Sequence, residues 1–418
     1  VTTVGAGICL GLIVLLVAQA FLVWRFGALL SAPPPPTLAD DDCPRATVIL
    51  CLRGLDPFLD RCVTAILEQD YPRFDVRIVV DHRDDPTLES VQRWLASHSF
   101  TNVRVELLEE RRQTCSLKCS SLAQTIGRLA PDVEFIAQLD ADTIPHRGWL
   151  RELATALADP AVGAATGNRW YAPAIANWGS LVRYLWNAAA VVQMCWYRIA
   201  WGGTLAVKTR VIREAGLLEF WSNALCEDTM LYSKLRQKGY RLSFVPSLMM
   251  VNRESCDLRS FTRWVTRQLL TARLYHPGWV AVVGHALMTT AVPIVAAAWA
   301  AWQFGQGVLG DANACLVCLG IYQLSLCPLI AWLERRMRML VRHRGESLRE
   351  WSPGLLFKMM AAVLLTQVVY SRAMLQALLL RRIEWRGVEY RVGGPWKIEL
   401  IEYRPYVASQ PTESLESL

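Results

Sequence analysis

The chain has 418 residues, of which 53% are hydrophobic and 19% charged, and its formal net charge is +7. That is too apolar for an ordinary soluble enzyme and too charged for a bundle lying wholly in a bilayer, so one soluble domain plus membrane segments is expected. Arg supplies most of the positive charge and no nucleic-acid motif accompanies it, which points to membrane topology and phosphate contacts rather than to nucleic acid.

Residues 1–28 read as an N-terminal transmembrane anchor. The apolar run 4–24 has the length of a span, and Arg25 closes it. Residues 29–45 form a linker, stiffened by Pro33–Pro36 and acidic at Asp40–Asp42. From residue 46 to 256 the pattern becomes α/β. Buried strands are expected at 46–52, 76–80, 103–108 and 135–139. Helices are expected at 58–69, 88–95, 117–129, 149–157 and 178–194, with Ser116 as a cap for the third. A strand ending at Lys208 follows the Gly202-Gly203 turn. A helix opens at 224–228 and runs to about Lys238, and a last strand covers 241–245. Strands alternating with helices imply a mainly parallel sheet. No glycine-rich phosphate loop is present, so a metal must carry more of any work on phosphates.

Residues 257–278 are an amphipathic Arg/Trp segment suited to a membrane surface, and 279–380 contain the membrane helices. Two long apolar spans cover 279–304 and 308–333, and an Arg-rich loop is expected at 334–344. A third candidate, 355–380, is weakened by Lys358 and Arg372. A full crossing there would put the basic tail, 381–418, opposite the Arg-rich loop, against the positive-inside rule. A re-entrant or in-plane helix for part of 355–380 resolves the conflict, with the catalytic domain facing the cytosol. The twelve Cys are scattered, and Cys315-Leu-Val-Cys318 has no second pair, so reduced, mostly structural thiols are expected.

Three acidic sites follow apolar segments in order: Asp81, then Asp140 with Asp142, then Glu227-Asp228. A strand presents alternate side chains to one side, so a strand ending at Leu139 offers Asp140 and Asp142 together at its C-terminal end, where open α/β sheets bind ligands. Two like charges that close call for a cation such as Mg²⁺ or Mn²⁺. Sugar transfer from a nucleotide diphosphate needs a carboxylate to read the base, a cation to neutralise the leaving group, and a general base for the acceptor hydroxyl. Asp81, the Asp140/Asp142 pair and Asp228 can fill these roles in that order.

The chain resembles family 2-type membrane glycosyltransferases, most of all the ceramide glucosyltransferase group. The resemblance starts at Arg53-Gly54-Leu55-Asp56-Pro57 and Asp70-Tyr71-Pro72. It continues through Asp81-His82, Asp84-Asp85-Pro86, Lys118, Asp140 and Glu227-Asp228, and reappears at Trp385-Arg386 and Tyr390-Arg391. It implies a GT-A, Rossmann-like catalytic domain and an inverting transferase that uses a UDP-sugar, a divalent cation and a membrane lipid acceptor. By the same resemblance Asp81 contacts uracil, Lys118 approaches the nucleotide, Asp140 and Asp142 serve metal and diphosphate, and Asp228 is the base. Glu227, Gly202 and Gly203 are counted with the donor site, the glycines because they let backbone approach the donor sugar or the acceptor.

Two departures stand out. Cys119-Ser120-Ser121 follows Lys118 where the family often has Asn. The family's Gln/Arg-x-x-Arg-Trp motif appears only as Ser260-Phe-Thr-Arg263-Trp264. Arg263 and Arg267 lie one helical turn apart, so Arg263, Trp264, Arg267 and Gln268 are catalytic candidates for leaving-group charge, the alternative being a basic helix held at lipid headgroups. The expected reaction is transfer of one sugar, glucose by resemblance, to a lipid hydroxyl such as that of ceramide. Diacylglycerol, a hopanoid or a polyprenyl phosphate remain open as acceptors. A processive polysaccharide synthase is the alternative activity, and a catalytically dead scaffold is a third class.

Overall fold

The computed structural model describes residues 1–98, 100–348 and 350–406. The part of the tail beyond residue 406 lies outside them.

A long apolar helix, α1 (Thr3–Leu30), leads into a seven-stranded sheet. Its first part alternates β1 (Ala46–Leu52), α2 (Leu59–Leu67), β2 (Phe74–Val80), α3 (Pro86–Ala96), β3 (Val103–Leu107), α4 (Leu117–Ile126), β4 (Phe135–Leu139) and α5 (Trp149–Leu157). Caps fix the helix starts: Ser116 Oγ accepts from Cys119 N at 3.2 Å, and Asp85 Oδ1 accepts from Thr87 N at 2.9 Å with Pro86 behind it. Next come β5 (Val162–Tyr171), α6 (Trp178–Tyr197), β6 (Thr204–Lys208), the short α7 (Thr209–Glu214), α8 (Leu217–Trp221) and α9 (Leu231–Gln237), and β7 (Arg241–Asn252).

The strand order is β3-β2-β1-β4-β6-β5-β7. The β1–β2, β2–β3, β1–β4 and β5–β7 pairs are parallel, and only β6 runs against its neighbours. Thr204, the first residue of β6, lies opposite Leu139, the last of β4. The reversal therefore brings the turn before β6 to the edge where β1, β2, β4 and β5 end. Every chemical group discussed below converges on that edge.

Strand β5 was not expected from the sequence, although it is buried along its length. The helix expected from 224 begins only at Leu231, because residues 224–230 are committed elsewhere. Glu227 O accepts from Trp221 Nε1 at 2.9 Å, and Asp228 uses its carboxylate on Gly202 N and Thr229 N.

The second half begins with α10 (Leu258–Tyr275), capped by Asp257. It continues with α11 (Trp279–Gly305), α12 (Leu309–Arg342) and α13 (Pro353–Leu379). Among the described residues, α1, α11, α12 and α13 are long and apolar enough to cross a membrane. The loop expected at 334–344 is largely helical. Helix α12 continues to Arg342 because Glu334 is paired with Arg338 at 3.0 Å and receives hydrogen bonds from Trp170 Nε1 at 2.9 Å and Tyr184 OH at 3.0 Å.

At one end of the bundle α1, α11 and α12 meet through Asp311, which accepts from Thr2 N at 2.6 Å and Gln303 Nε2 at 2.8 Å. Helix α13 takes no part in that cluster. Its first turns are tied to the catalytic domain by Lys358 Nζ donating to Ala176 O at 2.6 Å. Its last turn is tied to α10, where Arg273 Nη2 donates to Leu380 O at 3.2 Å and Thr266 Oγ1 to Gln376 Oε1 at 3.3 Å.

The described tail is a three-stranded antiparallel sheet, β8 (Arg382–Trp385), β9 (Val388–Gly394) and β10 (Lys397–Tyr403), rather than a polar extension. Its inner face (Ile383, Val388, Tyr390, Val392, Ile398 and Leu400) joins the core around α4 and α8.

Candidate active site

Lys118, on the first turn of α4, is the hub of the carboxylate cluster. Its Nζ lies 2.7 Å from Asp140 Oδ1 and 2.8 Å from Glu227 Oε1. Burial works against the Lys118 charge, but the two carboxylates hold the ammonium well above its ordinary range. Burial likewise opposes a charged Asp140, yet Lys118 outweighs it and keeps that carboxyl below the usual value. Glu227 goes the other way: burial raises it more than Lys118 lowers it. Asp142 is raised to about 7, first by burial and then by the charges of Asp140, Asp56 and Glu254. Its Oδ2 accepts from Asn252 Nδ2 at 3.1 Å, at the end of β7.

This carboxylate pair suits a hard cation. Asp140 and Asp142 offer oxygen donors, and the crowding of negative charge that makes Asp142 proton-seeking is what a divalent ion relieves. No cluster of three or more His, Cys, Asp or Glu able to hold a metal occurs among the described residues. Most of such an ion's shell would therefore come from substrate phosphate and water.

Asp228 follows Glu227 in the chain and lines the same cleft as Lys118. Gly202 N–H donates to Asp228 Oδ2 at 2.9 Å and Thr229 N–H to Oδ1 at 2.6 Å, which fixes the carboxylate. Both glycines of the turn are needed for close packing. A Cβ on Gly202 would stand 2.0 Å from Glu227 Oε1, and one on Gly203 would stand 2.8 Å from Asp140 Oδ2.

Asp81, after β2, is buried and paired with Arg53, and its Oδ2 also accepts from Tyr403 OH at 3.0 Å. Burial raises its carboxyl and Arg53 opposes the rise. Asp81 Oδ1 is buried without a hydrogen-bond partner among the described residues. Tyr403 is itself faced by Arg111, 4.3 Å from its ring centre. Sequence reasoning missed Tyr403, because the tail reads as basic and polar.

Two cavities share one wall. A polar cleft of about 180 Å³ holds Asp81, Lys118, Asp140, Asp142, Glu227, Arg267 and Trp385. An apolar cavity of about 210 Å³ runs between α1, α6, α10, α11, α12 and α13. Among its polar groups is a Gln193–His285 pair, with Nε2 to Nδ1 at 2.9 Å. Asp228, Arg169, Trp201, Gln268 and Thr271 line both spaces.

The structure divides the α10 candidates. Arg267 faces the cleft, its guanidinium 4.4 Å over the Trp385 ring. Burial first, then the charges of Arg386 and Arg169, push its ionisation down to about 10. Gln268 reaches both cavities. Trp264 is buried as a platform under Arg169, 4.6 Å from its ring centre. Arg263 does not join them: it is exposed, donates to Ser260 Oγ at 3.3 Å and lines neither cavity. The α10 residues that line the cleft begin at Trp264 and leave out Arg263, so the expectation that Arg263 and Arg267 act on one side is corrected. Arg169, on the unforeseen β5, is the other residue the sequence reading missed.

A carboxylate cluster at the C-terminal edge of a mainly parallel sheet, opening onto a cavity walled by membrane-type helices, marks a membrane glycosyltransferase of the GT-A fold. The chain belongs to glycosyl transferase family 21, whose model matches residues 7–395. It is similar to the ceramide glucosyltransferase of Pyricularia oryzae, 32% identical over 102 residues, which cover 23% of this chain and 21% of the relative. The corresponding enzyme of Komagataella phaffii is 26% identical over 84 residues, 20% of this chain and 16% of the relative. The chain thus matches only about a fifth of the length of these curated relatives. Among solved structures, it resembles the mannosyltransferase PcManGT from Pyrobaculum calidifontis, solved with GDP-Man and Mn²⁺. The TM-score is 0.51 at 20% identity, covering 89% of this chain and 98% of that one.

Proposed function

We propose that the enzyme moves a single sugar, glucose, from a UDP-sugar to the hydroxyl of a membrane lipid, with inversion, at the cytosolic face. A ceramide-like lipid is the favoured acceptor. The observation that carries this reading is the position of Asp228, whose carboxylate lies where the polar cleft meets the apolar cavity. The ceramide glucosyltransferase relatives support glucose as the sugar and a ceramide-like lipid as the acceptor.

Each part of the reaction has a residue suited to it. The spare Asp81 Oδ1 is an acceptor for a uracil imide N–H. Lys118 holds Asp140 and Glu227 in place under the diphosphate. Asp140 and Asp142 would hold Mg²⁺ or Mn²⁺, which when bound neutralises charge on the diphosphate. Arg267, lining the same cleft over the Trp385 ring, adds a further cation. The acceptor hydroxyl enters from the apolar cavity and gives its proton to Asp228, held in aim by the Gly202 and Thr229 N–H groups. Its oxygen bonds to the sugar's anomeric carbon as the bond to the β-phosphate breaks, and UDP leaves with that electron pair. Attack from the face opposite the leaving group inverts the centre. A growing polysaccharide would need a hydrophilic channel, whereas the space beside Asp228 is walled mainly by Leu, Val, Ala and Ile.

The test is sugar transfer by the purified protein in nanodiscs, with UDP-glucose and a panel of ceramide, diacylglycerol, hopanoid and polyprenyl phosphate acceptors. One glucose per ceramide is expected, lost on chelation and restored by Mg²⁺ or Mn²⁺. Asp228→Asn should lower turnover by about 10²–10⁴-fold while leaving UDP binding intact. Absence of transfer to every lipid in the panel would sink the proposal.

A further inference from the structure

Among the described residues four arginines are buried: Arg53, Arg151, Arg169 and Arg183. Three have carboxylate partners. Arg53 pairs with Asp81, Arg151 with Asp40 at 2.6 Å, and Arg183 with Glu254 at 2.9 Å. Arg169 is the exception. Its side chain has no ion pair or hydrogen bond among the described residues. It is only 8% exposed, and what exposure it has is to the cavities.

Rings take the place of a counter-ion. The guanidinium carbon lies 4.6 Å from the Trp264 ring centre, 5.0 Å from Trp201 and 5.7 Å from Tyr171. Cation–π contacts of this kind offset part of the cost of burying a charge but leave its hydrogen-bond donors unsatisfied. A largely buried cation packed on rings, open to the cleft and with no carboxylate in ion-pair contact among the described residues, is arranged to receive an anion.

The position indicates which anion. Arg169 stands on β5, at the edge shared with Asp140 and Asp142, and lines the same polar cleft as both. It also repels Arg267, the other cleft arginine without an ion pair among the described residues. Two like charges set side by side in a cleft are stabilised together by one multiply charged group between them. We propose that Arg169 is a catalytic residue that binds the donor's diphosphate from the side of the acceptor cavity. Together with Arg267 it takes up the negative charge that develops as the sugar–phosphate bond breaks. No proton leaves the guanidinium: the electron pair of the broken bond goes to the β-phosphate oxygen, and the acceptor's proton goes to Asp228. Trp264 is then a positioning residue that acts through Arg169.

This inference rests on the reading of the donor as a nucleoside diphosphate sugar, and its test separates the two. UDP and uridine affinities are measured by calorimetry with Mg²⁺ on the nanodisc-embedded enzyme and on Arg169→Met and Arg169→Lys. Alongside are kcat and both KM values. Arg169→Met should bind UDP about tenfold more weakly and uridine as well as the parent does, since uridine lacks the diphosphate. Its kcat should fall about 10²-fold, with the lipid KM within about twofold and Arg169→Lys intermediate. Unchanged UDP affinity in Arg169→Met overturns the proposal. So does an equal loss for UDP and uridine, which marks a structural role, or a change confined to the lipid KM, which makes Arg169 a reader of the acceptor. If Arg169→Met does not fold, Arg169→Lys decides by the same UDP-against-uridine difference. A parent enzyme that binds UDP but transfers nothing sinks the proposed activity and leaves the Arg169 comparison standing.

Discussion

Between Trp201 and Thr204 the backbone passes so close to the carboxylate cluster that the chemistry of a single hydrogen atom matters. A methyl group on Gly202 would meet Glu227 Oε1 at 2.0 Å and Lys118 Nζ at 3.1 Å. Neither can move cheaply, because Glu227 is buried and Lys118 is also bonded to Asp140. Gly202→Ala should therefore break the Lys118–Glu227 contact and shift the N–H that steadies Asp228. Turnover is expected to fall by at least about tenfold, since misplacing catalytic groups by an ångström is costly, with weaker UDP binding and a folded protein by circular dichroism. A Gly202→Ala enzyme within twofold of the parent would show that this contact is dispensable. The same cluster shows which residues a sequence can reveal. Asp81, Asp140 and Glu227-Asp228 each follow an apolar segment abruptly, and such breaks are visible in one dimension. Arg169 and Tyr403 sit inside alternating or ordinary-looking segments, and only the pairing of distant strands gives them neighbours.

At the level of elements, β1, β4 and α5 were legible because continuous apolar runs or a clean helical spacing leave one solution. Strand β5 was not, since Val162–Tyr171 mixes Gly, Ala and Thr with Asn168 and Arg169 and gains its stability from β7 beside it. The tail sheet was missed for a different reason. Its buried residues alternate with Arg, Glu and Lys, and that alternation was read as polarity rather than as period two. This sheet also supports the catalytic hub. Tyr390 OH accepts from Leu117 N at 3.1 Å, at the free N-terminal end of α4, one residue before Lys118. Tyr390 is 1% exposed, so no solvent replaces the lost oxygen if it is removed. Tyr390→Phe leaves that N–H buried and unpaired, which costs about 1–3 kcal/mol. Thermal unfolding in detergent should shift down accordingly, and transfer activity should fall with it through the loosened start of α4. An unchanged melting curve would mean that the tail sheet does not brace the hub.

For the whole molecule, the open matter is how many times the chain crosses the bilayer. Helix α13 is long and apolar enough to span, yet its start is bound to the catalytic domain through Lys358 and its end to α10 through Arg273. A 27-residue helix is about 40 Å long, so a perpendicular crossing would carry one end that far from the domain. One end at the catalytic domain and the other at α10, with the tail sheet after it packed on the core, instead favour a helix lying along the membrane face, beside α6 and α10, as the floor of the site. Three crossings by α1, α11 and α12 then leave the Arg335–Arg344 and Arg381–Arg386 clusters on one side, consistent with the positive-inside rule. Four crossings would separate them. The two arrangements differ in parity, which short epitopes can read in sealed vesicles of both orientations. One epitope is inserted in the turn between α11 and α12 at residues 306–308, one at 345–348, and one in the β9–β10 turn at 395–396. With α13 along the surface, the second and third share one side and the first is opposite. If the third is found with the first, α13 crosses, and the contacts that tie its start to the catalytic domain and its end to α10 do not persist in the membrane.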